Sequence, residues 1–274
     1  MPELAEVEFY RRRWSAGHGA KITAVLVHER ARVFRGGHAE RIARALAGAK
    51  LLGSETAAKQ MLFRFSGGSW LGIHLGMSGE LSVRSADYPP GKHDHLVLRQ
   101  RDRSLVFTDP RMFGAALLHV GKNPPGWWTK IAPAVLSPVF TAGYVAEFLT
   151  RRGRAPIKAV LLMQERFPGI GNWMADEILW RARIAPQRLA GSLATAEVRA
   201  VHRECRFVCK GALRFNAGVG GTMPAELNEF MPDSWLFNHR WEKGGDCPRC
   251  GTALRHAEVG GRTSCWCPRC QPAR

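Results

Sequence analysis

Between residues 20 and 120 the hydrophobic positions recur in short runs: ITAVLVH, QMLFRF, SWLGIHLGM, LSVR, HLVLR, SLVFTD and GAALLHV. Glycines and polar turns such as SGG, MSGE and RDRS separate them. Many short strands at this spacing predict an antiparallel sandwich or barrel. A short helix should open the chain ahead of them, with Pro2 in its first turn and Glu3 and Glu6 at its positive end. The stretch 123–138, NPPGWWTKIAPAVLSP, breaks the strand pattern and marks the expected boundary. Helical periods follow in AGYVAEFLTRR, APIKAVLLMQE, NWMADEILWRARI and ATAEVRAVHRECRFVCKGALRF, with FPGIGN as a turn between the second and third. Residues 217–234 have the pattern of a loop, and the chain closes on a cysteine-bearing hairpin. The expected fold is α+β: an N-terminal antiparallel β-sandwich with a leading helix over 1–122, a linker at 123–138, a helical domain at 139–240 and a cysteine-bearing β-hairpin module at 241–274.

Composition adds one strong bias. Hydrophobic residues are 45% and charged residues 23% of the 274, an ordinary globular balance. Forty Lys and Arg against 23 Asp and Glu leave a formal charge of +17. That excess favours a polyanionic partner, nucleic acid above all, with steep salt dependence. The opening MPELAEVEFYRRRW has acids where a secretion signal has bases, and no long apolar run follows it. An intracellular protein of the bacterial cytoplasm or nucleoid, without a membrane partner, is therefore expected.

Four of the seven cysteines form two pairs, Cys247-x2-Cys250 and Cys267-x2-Cys270, in the terminal hairpin. This spacing suits four thiolates around one structural Zn²⁺. Cys265 lies on the same strand face as Cys267 but breaks the knuckle spacing, and Cys205 and Cys209 suit small core positions one helical turn apart. At the other end, removal of Met1 would leave Pro2 with a free secondary amine. An α-amino group titrates near pH 8 and is partly neutral at physiological pH, so it can attack a sugar C1′, expel a base and leave an iminium. Glu3 and Glu6 would then serve as proton donor and electrostatic partner. Taken alone, Pro-Glu at a chain start is more often a plain helix opening.

The ordered set PELAEVE, AKQMLF, HLGMSG, KHDH, DPRMFG, GIGN-xx-ADEIL and the terminal R-x4-CPRCQ resembles the formamidopyrimidine-DNA glycosylase/endonuclease VIII family from residue 2 to residue 271. The resemblance implies a bifunctional DNA glycosylase/AP lyase of base excision repair, acting as a monomer on damaged double-stranded DNA. It implies Pro2 as the nucleophile, Glu3 as proton donor, Glu6 as a second acid orienting the site, and Lys59 as a strand lysine that holds phosphate and assists β-elimination. His93 and Arg111 match DNA-contacting positions, and Met77, Arg111 and Phe113 match a trio that fills the space of a flipped-out nucleotide. Met77 stands in a Gly-flanked turn, where a large apolar side chain is exposed more readily than packed. The resemblance implies that residues 139–240 form a helix–two-turn–helix domain, in which Asn172 can cap the helix after GIGN or meet a phosphate at that helix's N-terminus, and the two roles are compatible. Arg262 matches the finger arginine that grips the phosphates flanking the lesion and helps δ-elimination. Lys158 and the run Arg151, Arg152 and Arg154 are further expected backbone contacts. The other class of function compatible with the sequence is a non-enzymatic zinc-finger protein that holds damaged or bent DNA.

Several positions depart from the family pattern. Ala5 and Met112 stand where a second proline and a second arginine are usual, and Trp173 and Met174 where an aliphatic residue and tyrosine are. Met163 replaces a common acid ahead of Gln164, and the segment after the last long helix lacks the usual GGTTLRDY-like stretch. In the family this segment carries a loop over an oxidised purine. The expected substrate is therefore the wider class of oxidised or ring-opened bases.

Overall fold

The computed structural model describes residues 1–28, 31–35, 39–241 and 245–273. Residues 242–244 and 274 of the expected zinc-finger module lie outside the described residues. Two compact units divide the chain, Met1–Ile131 and Ala132–Arg274.

In the first unit α1 (Leu4–Arg13) precedes β1 (Ala24–Val27), α2 (Ala39–Leu46), β2 (Leu51–Ala57), β3 (Gln60–Phe65), β4 (Ser69–His74), β5 (Glu80–Arg84), β6 (Asp94–Arg99), β7 (Ser104–Thr108) and β8 (Ala115–Val120). The strands form two antiparallel four-stranded sheets, ordered β1-β6-β7-β5 and β2-β3-β4-β8. Alternation along the strands explains the sandwich. Met61, Phe63 and Phe65 of β3 and Leu71 and Ile73 of β4 enter the core, joined by Leu96, Leu98, Leu105 and Phe107 from the other sheet. The opposite face of β4 presents Gly72, and α3 (Gly126–Thr129) lays Trp127 across it. A Cβ at Gly72 would stand 2.5 Å from the Trp127 ring, so Trp127 of NPPGWW covers this part of the outer face.

The first unit differs from the sequence expectation at β2 (LLGSETA), which is not among the apolar runs, at the start of α1 and at α2. Pro2 lies outside α1: Glu3 is the N-cap in extended geometry, and its backbone N–H donates to Glu6 Oε2 at 2.9 Å in a reciprocal capping box. Helix α2 was not anticipated among the strands. Its signal was present, since Ala39, Ile42 and Leu46 recur at helical spacing and are its buried face.

The second unit holds α4 (Ala142–Arg151), α5 (Ile157–Leu161), α6 (Asn172–Ala182), α7 (Thr195–Ala217) and the hairpin β9 (Arg255–Val259) and β10 (Arg262–Trp266). Every residue of α6 from Trp173 to Trp180 is buried. Trp173 packs its ring edge against Phe237 at 4.9 Å, and Met174 is fully buried. These two departures from the family pattern are therefore core residues. Left-handed Arg183 ends α6, and Gly218, at φ +63, ends α7. Among the described residues no helix is long and apolar enough to cross a membrane.

Candidate active site and nucleic-acid interface

In the first unit Glu3 and Glu6 stand at the start of α1, immediately after Pro2. Pro2 is half-buried directly before the N-cap, while Glu3 and Glu6 are 3% and 7% exposed. Burying two carboxylates at the first turn is tolerable because the helix N-terminus is positive and their oxygens accept N–H bonds from it. Lys59 occupies the tight turn between β2 and β3, after Ala58 at φ +55, and not a strand as expected. The turn places it beside His74, at the end of β4. Burial, then the positive charges of Lys59 and Arg35, hold the His74 imidazole below its ordinary pKa. His74 Nδ1 accepts the Gly76 N–H at 3.0 Å, which leaves Nε2 as the protonated nitrogen of the neutral ring. Sequence reasoning passed over His74, although it opens the HLGMSG motif.

Met77 and Phe113 are 44% and 51% exposed, on the β4–β5 and β7–β8 loops. The Arg111 guanidinium lies 5.0 Å from the Phe113 ring centroid. His93 is exposed beside them, its carbonyl accepting the Asp109 N–H at 3.0 Å. Met112 takes φ +52 and packs its side chain against the core, so the residue that replaces an arginine anchors its loop.

In the second unit the hairpin turn Gly260–Gly261 has both φ values positive, +62 and +76. A Cβ at Gly260 would come within 2.5 Å of the Ala159 Cβ, so glycine lets the hairpin tip rest on α5. Exposed Arg262 follows at the start of β10. Its neighbour Thr263 accepts the Asn172 side-chain amide at 2.8 Å. Asn172 is the first residue of α6, with Gly171 as N-cap, and its amide reaches the hairpin instead of capping the helix. Asn172 and Arg262 are thereby held together by residues 91 apart in sequence.

Lys158 is a correction. It is 0% exposed, and its Nζ donates to Asp176 Oδ1 at 2.5 Å and to the Asn172 carbonyl at 2.6 Å. Asp176 Oδ2 also takes Arg240 at 2.6 Å and the Cys265 N–H at 3.2 Å. A fully buried, paired ammonium cannot serve as a backbone contact. It ties α5 to α6, and Asp176 in turn links α6 to β10. Lys158→Met should cost about 3 kcal/mol in denaturant unfolding while leaving the salt slope of DNA binding intact. Unchanged stability with a slope lower by about one would restore the phosphate role. Arg151 and Arg152 share Glu165, at 3.9 and 2.8 Å, whereas Arg154 is exposed between α4 and α5. Gln164, in the turn before α6, bonds the carbonyls of Leu162 and Ile170 and the Gly169 N–H, and so shapes FPGIGN.

The four knuckle cysteines place their Sγ atoms within 4.8 Å of one another. Individual separations are 3.5, 3.6 and 3.9 Å, against about 3.8 Å for the edge of a zinc tetrahedron with 2.3 Å bonds. The set is suited to one Zn²⁺. Cys265 stands apart from it, buried, with its backbone N–H on Asp176.

Family models cover nearly the whole chain: the formamidopyrimidine-DNA glycosylase N-terminal domain at residues 1–116, the H2TH domain of the same glycosylases at 131–223, and the zinc finger found in FPG and IleRS at 244–273. They define the class as DNA glycosylases of base excision repair with a zinc finger. A formamidopyrimidine-DNA glycosylase of Roseiflexus sp. is 38% identical over 99% of this chain and 100% of its own. That of Halorhodospira halophila is 36% identical, with coverage of 99% and 100%. The crystal structure of Lactococcus lactis Fpg with DNA containing an abasic site is similar at a TM-score of 0.86 and 28% identity, over 99% and 100% of the two chains. The chain belongs to the formamidopyrimidine-DNA glycosylase family.

Proposed function

We propose that this enzyme excises oxidised or ring-opened bases from double-stranded DNA through a Schiff base on Pro2 and then cleaves the strand by elimination, working as a monomer inside the cell. The observation that carries the reading is the buried pair Glu3 and Glu6 at the capped start of α1, immediately behind Pro2. With Met1 removed, the Pro2 amine attacks C1′ and the base departs. Glu3 protonates the sugar ring oxygen as the ring opens, and Glu6, bonded to the Glu3 backbone, keeps that carboxyl in place. The iminium acidifies the sugar C2′, so β-elimination follows, with Lys59 and Arg262 holding phosphates and Arg262 assisting δ-elimination. Met77, Arg111 and Phe113 fill the space of the flipped nucleotide, and His93, Arg154 and Asn172 add contacts to the strand.

Single-lesion duplexes test the reading. Purified protein should nick duplexes with ring-opened and oxidised purines fastest, oxidised pyrimidines more slowly and undamaged DNA not at all. Tight binding to those duplexes without any nicking would support the non-enzymatic alternative.

A further inference from the structure

The two exposed loops of the first unit are joined through one buried carboxylate. We propose that Asp109, acting with Ser78, is a positioning residue that fixes Met77 relative to Arg111 and Phe113. The inference rests on the proposed role of those three side chains at a flipped nucleotide.

Asp109 is 0% exposed at the end of β7. Its Oδ1 accepts the Ser78 hydroxyl at 2.7 Å and the Arg111 N–H at 3.3 Å, and its Oδ2 accepts the Gly114 N–H at 2.7 Å. One carboxylate thus holds the second loop on both sides of Phe113 and the first loop immediately after Met77. Its carbonyl is held in turn by His95 Nε2 at 2.8 Å and by the Met112 N–H at 3.2 Å. The loops also meet backbone to backbone. Gly76 has φ +62, and a Cβ there would lie 2.4 Å from the Phe113 carbonyl carbon.

A turn carboxylate ordinarily stabilises only its own turn, which accounts for the bonds to Arg111 and Gly114. It does not account for Ser78, which comes from another loop 31 residues away. That bond has the length of a charge-assisted hydrogen bond and ends on a buried acceptor, so separating the loops leaves the carboxylate underbonded. The consequence concerns insertion. An apolar wedge and a guanidinium must enter the same gap together when a base leaves the stack. Two independently mobile loops would populate that arrangement less often. A paired lesion must be unstacked and an abasic site much less so, so the tie should matter mainly for the former.

The test is the ratio of base excision from a duplex carrying a ring-opened purine to strand cleavage at an abasic site. Ser78→Ala should lower this ratio about tenfold, the scale of one charge-assisted hydrogen bond. A 2-aminopurine beside the lesion should show a correspondingly slower fluorescence rise. Ser78→Thr keeps the hydroxyl and should restore both readouts. Asp109→Asn, with its melting temperature measured in parallel, should shift the ratio in the same direction. Met77→Ala should lower the ratio too, and the double variant with Ser78→Ala should be no worse than Met77→Ala alone. Equal losses on both substrates in Ser78→Ala, or independent multiplication of the two effects, would overturn the inference while leaving the wedge role standing. A wild-type ratio in Met77→Ala would instead remove the wedge role, and the inference with it.

Discussion

Borohydride should trap this protein covalently on a duplex carrying an abasic site, and Pro2→Gly should reduce the trapped fraction at least about a hundredfold, equivalent to about 2.7 kcal/mol of barrier. The structure gives the reason for so large an effect. Pro2 precedes a rigid N-cap: Glu3 is extended, buried and bonded through its N–H to Glu6, so the residue before it leaves the helix in a set direction. The pyrrolidine ring removes rotation about φ and yields a secondary amine. Glycine at this position keeps an amine but restores rotational freedom, which dissipates the near-attack geometry that a nucleophile needs. DNA binding, carried by phosphate contacts elsewhere, should survive the substitution and is measured by titration at several salt concentrations. Efficient trapping by protein whose N-terminal amine has been chemically blocked would place the Schiff base on another residue.

The parts of this molecule legible in its sequence are those with a local signal. Short apolar runs between glycines and polar turns located seven strands of the first unit, whereas β2, with the largely polar and small sequence LLGSETA, was not legible. Cysteine spacing located the zinc cluster, since a CxxC turn presents two thiolates to one ion. The Gly-flanked position of Met77 pointed to an exposed side chain, and it is 44% exposed. What was not legible depends on partners distant in sequence. Lys158 looks like any solvated lysine until Asp176 and the Asn172 carbonyl close on it. Asn172 has the pattern of an N-cap, yet Gly171 takes that place, and the Asn172 amide nitrogen donates to the Thr263 carbonyl of the terminal hairpin. Asp109 lies inside DPRMFG, but nothing local to that motif signals that Ser78 of another loop bonds its buried carboxylate. Lys59 left its expected strand because Ala58 adopts the left-handed conformation of a two-residue turn.

Zinc removal should nearly abolish DNA binding. Structural zinc in small domains contributes roughly 10–16 kcal/mol of folding free energy, far more than a hairpin of two five-residue strands supplies by itself. The metal cluster also belongs to a small core with Trp180, Leu236, Leu254 and Cys265, and Trp180 Nε1 donates to Cys247 Sγ at 3.3 Å. Losing the metal therefore withdraws support from β10, which carries Arg262 and holds the Asn172 amide through Thr263. Two proposed phosphate contacts would be displaced at once, although neither residue touches the metal. Cys250→Ser or chelator-treated protein should bind a lesion duplex at least a hundredfold more weakly, with a lower salt slope because fewer phosphates are neutralised. Hydrogen exchange should rise in residues 255–266 while the strands of the first unit keep their protection. Elemental analysis should find one zinc per chain in the wild type and in Cys265→Ser, whose thiol lies outside the four-sulfur cluster. Full DNA affinity in zinc-free protein would show that Arg262 and Asn172 are held by the helical contacts alone.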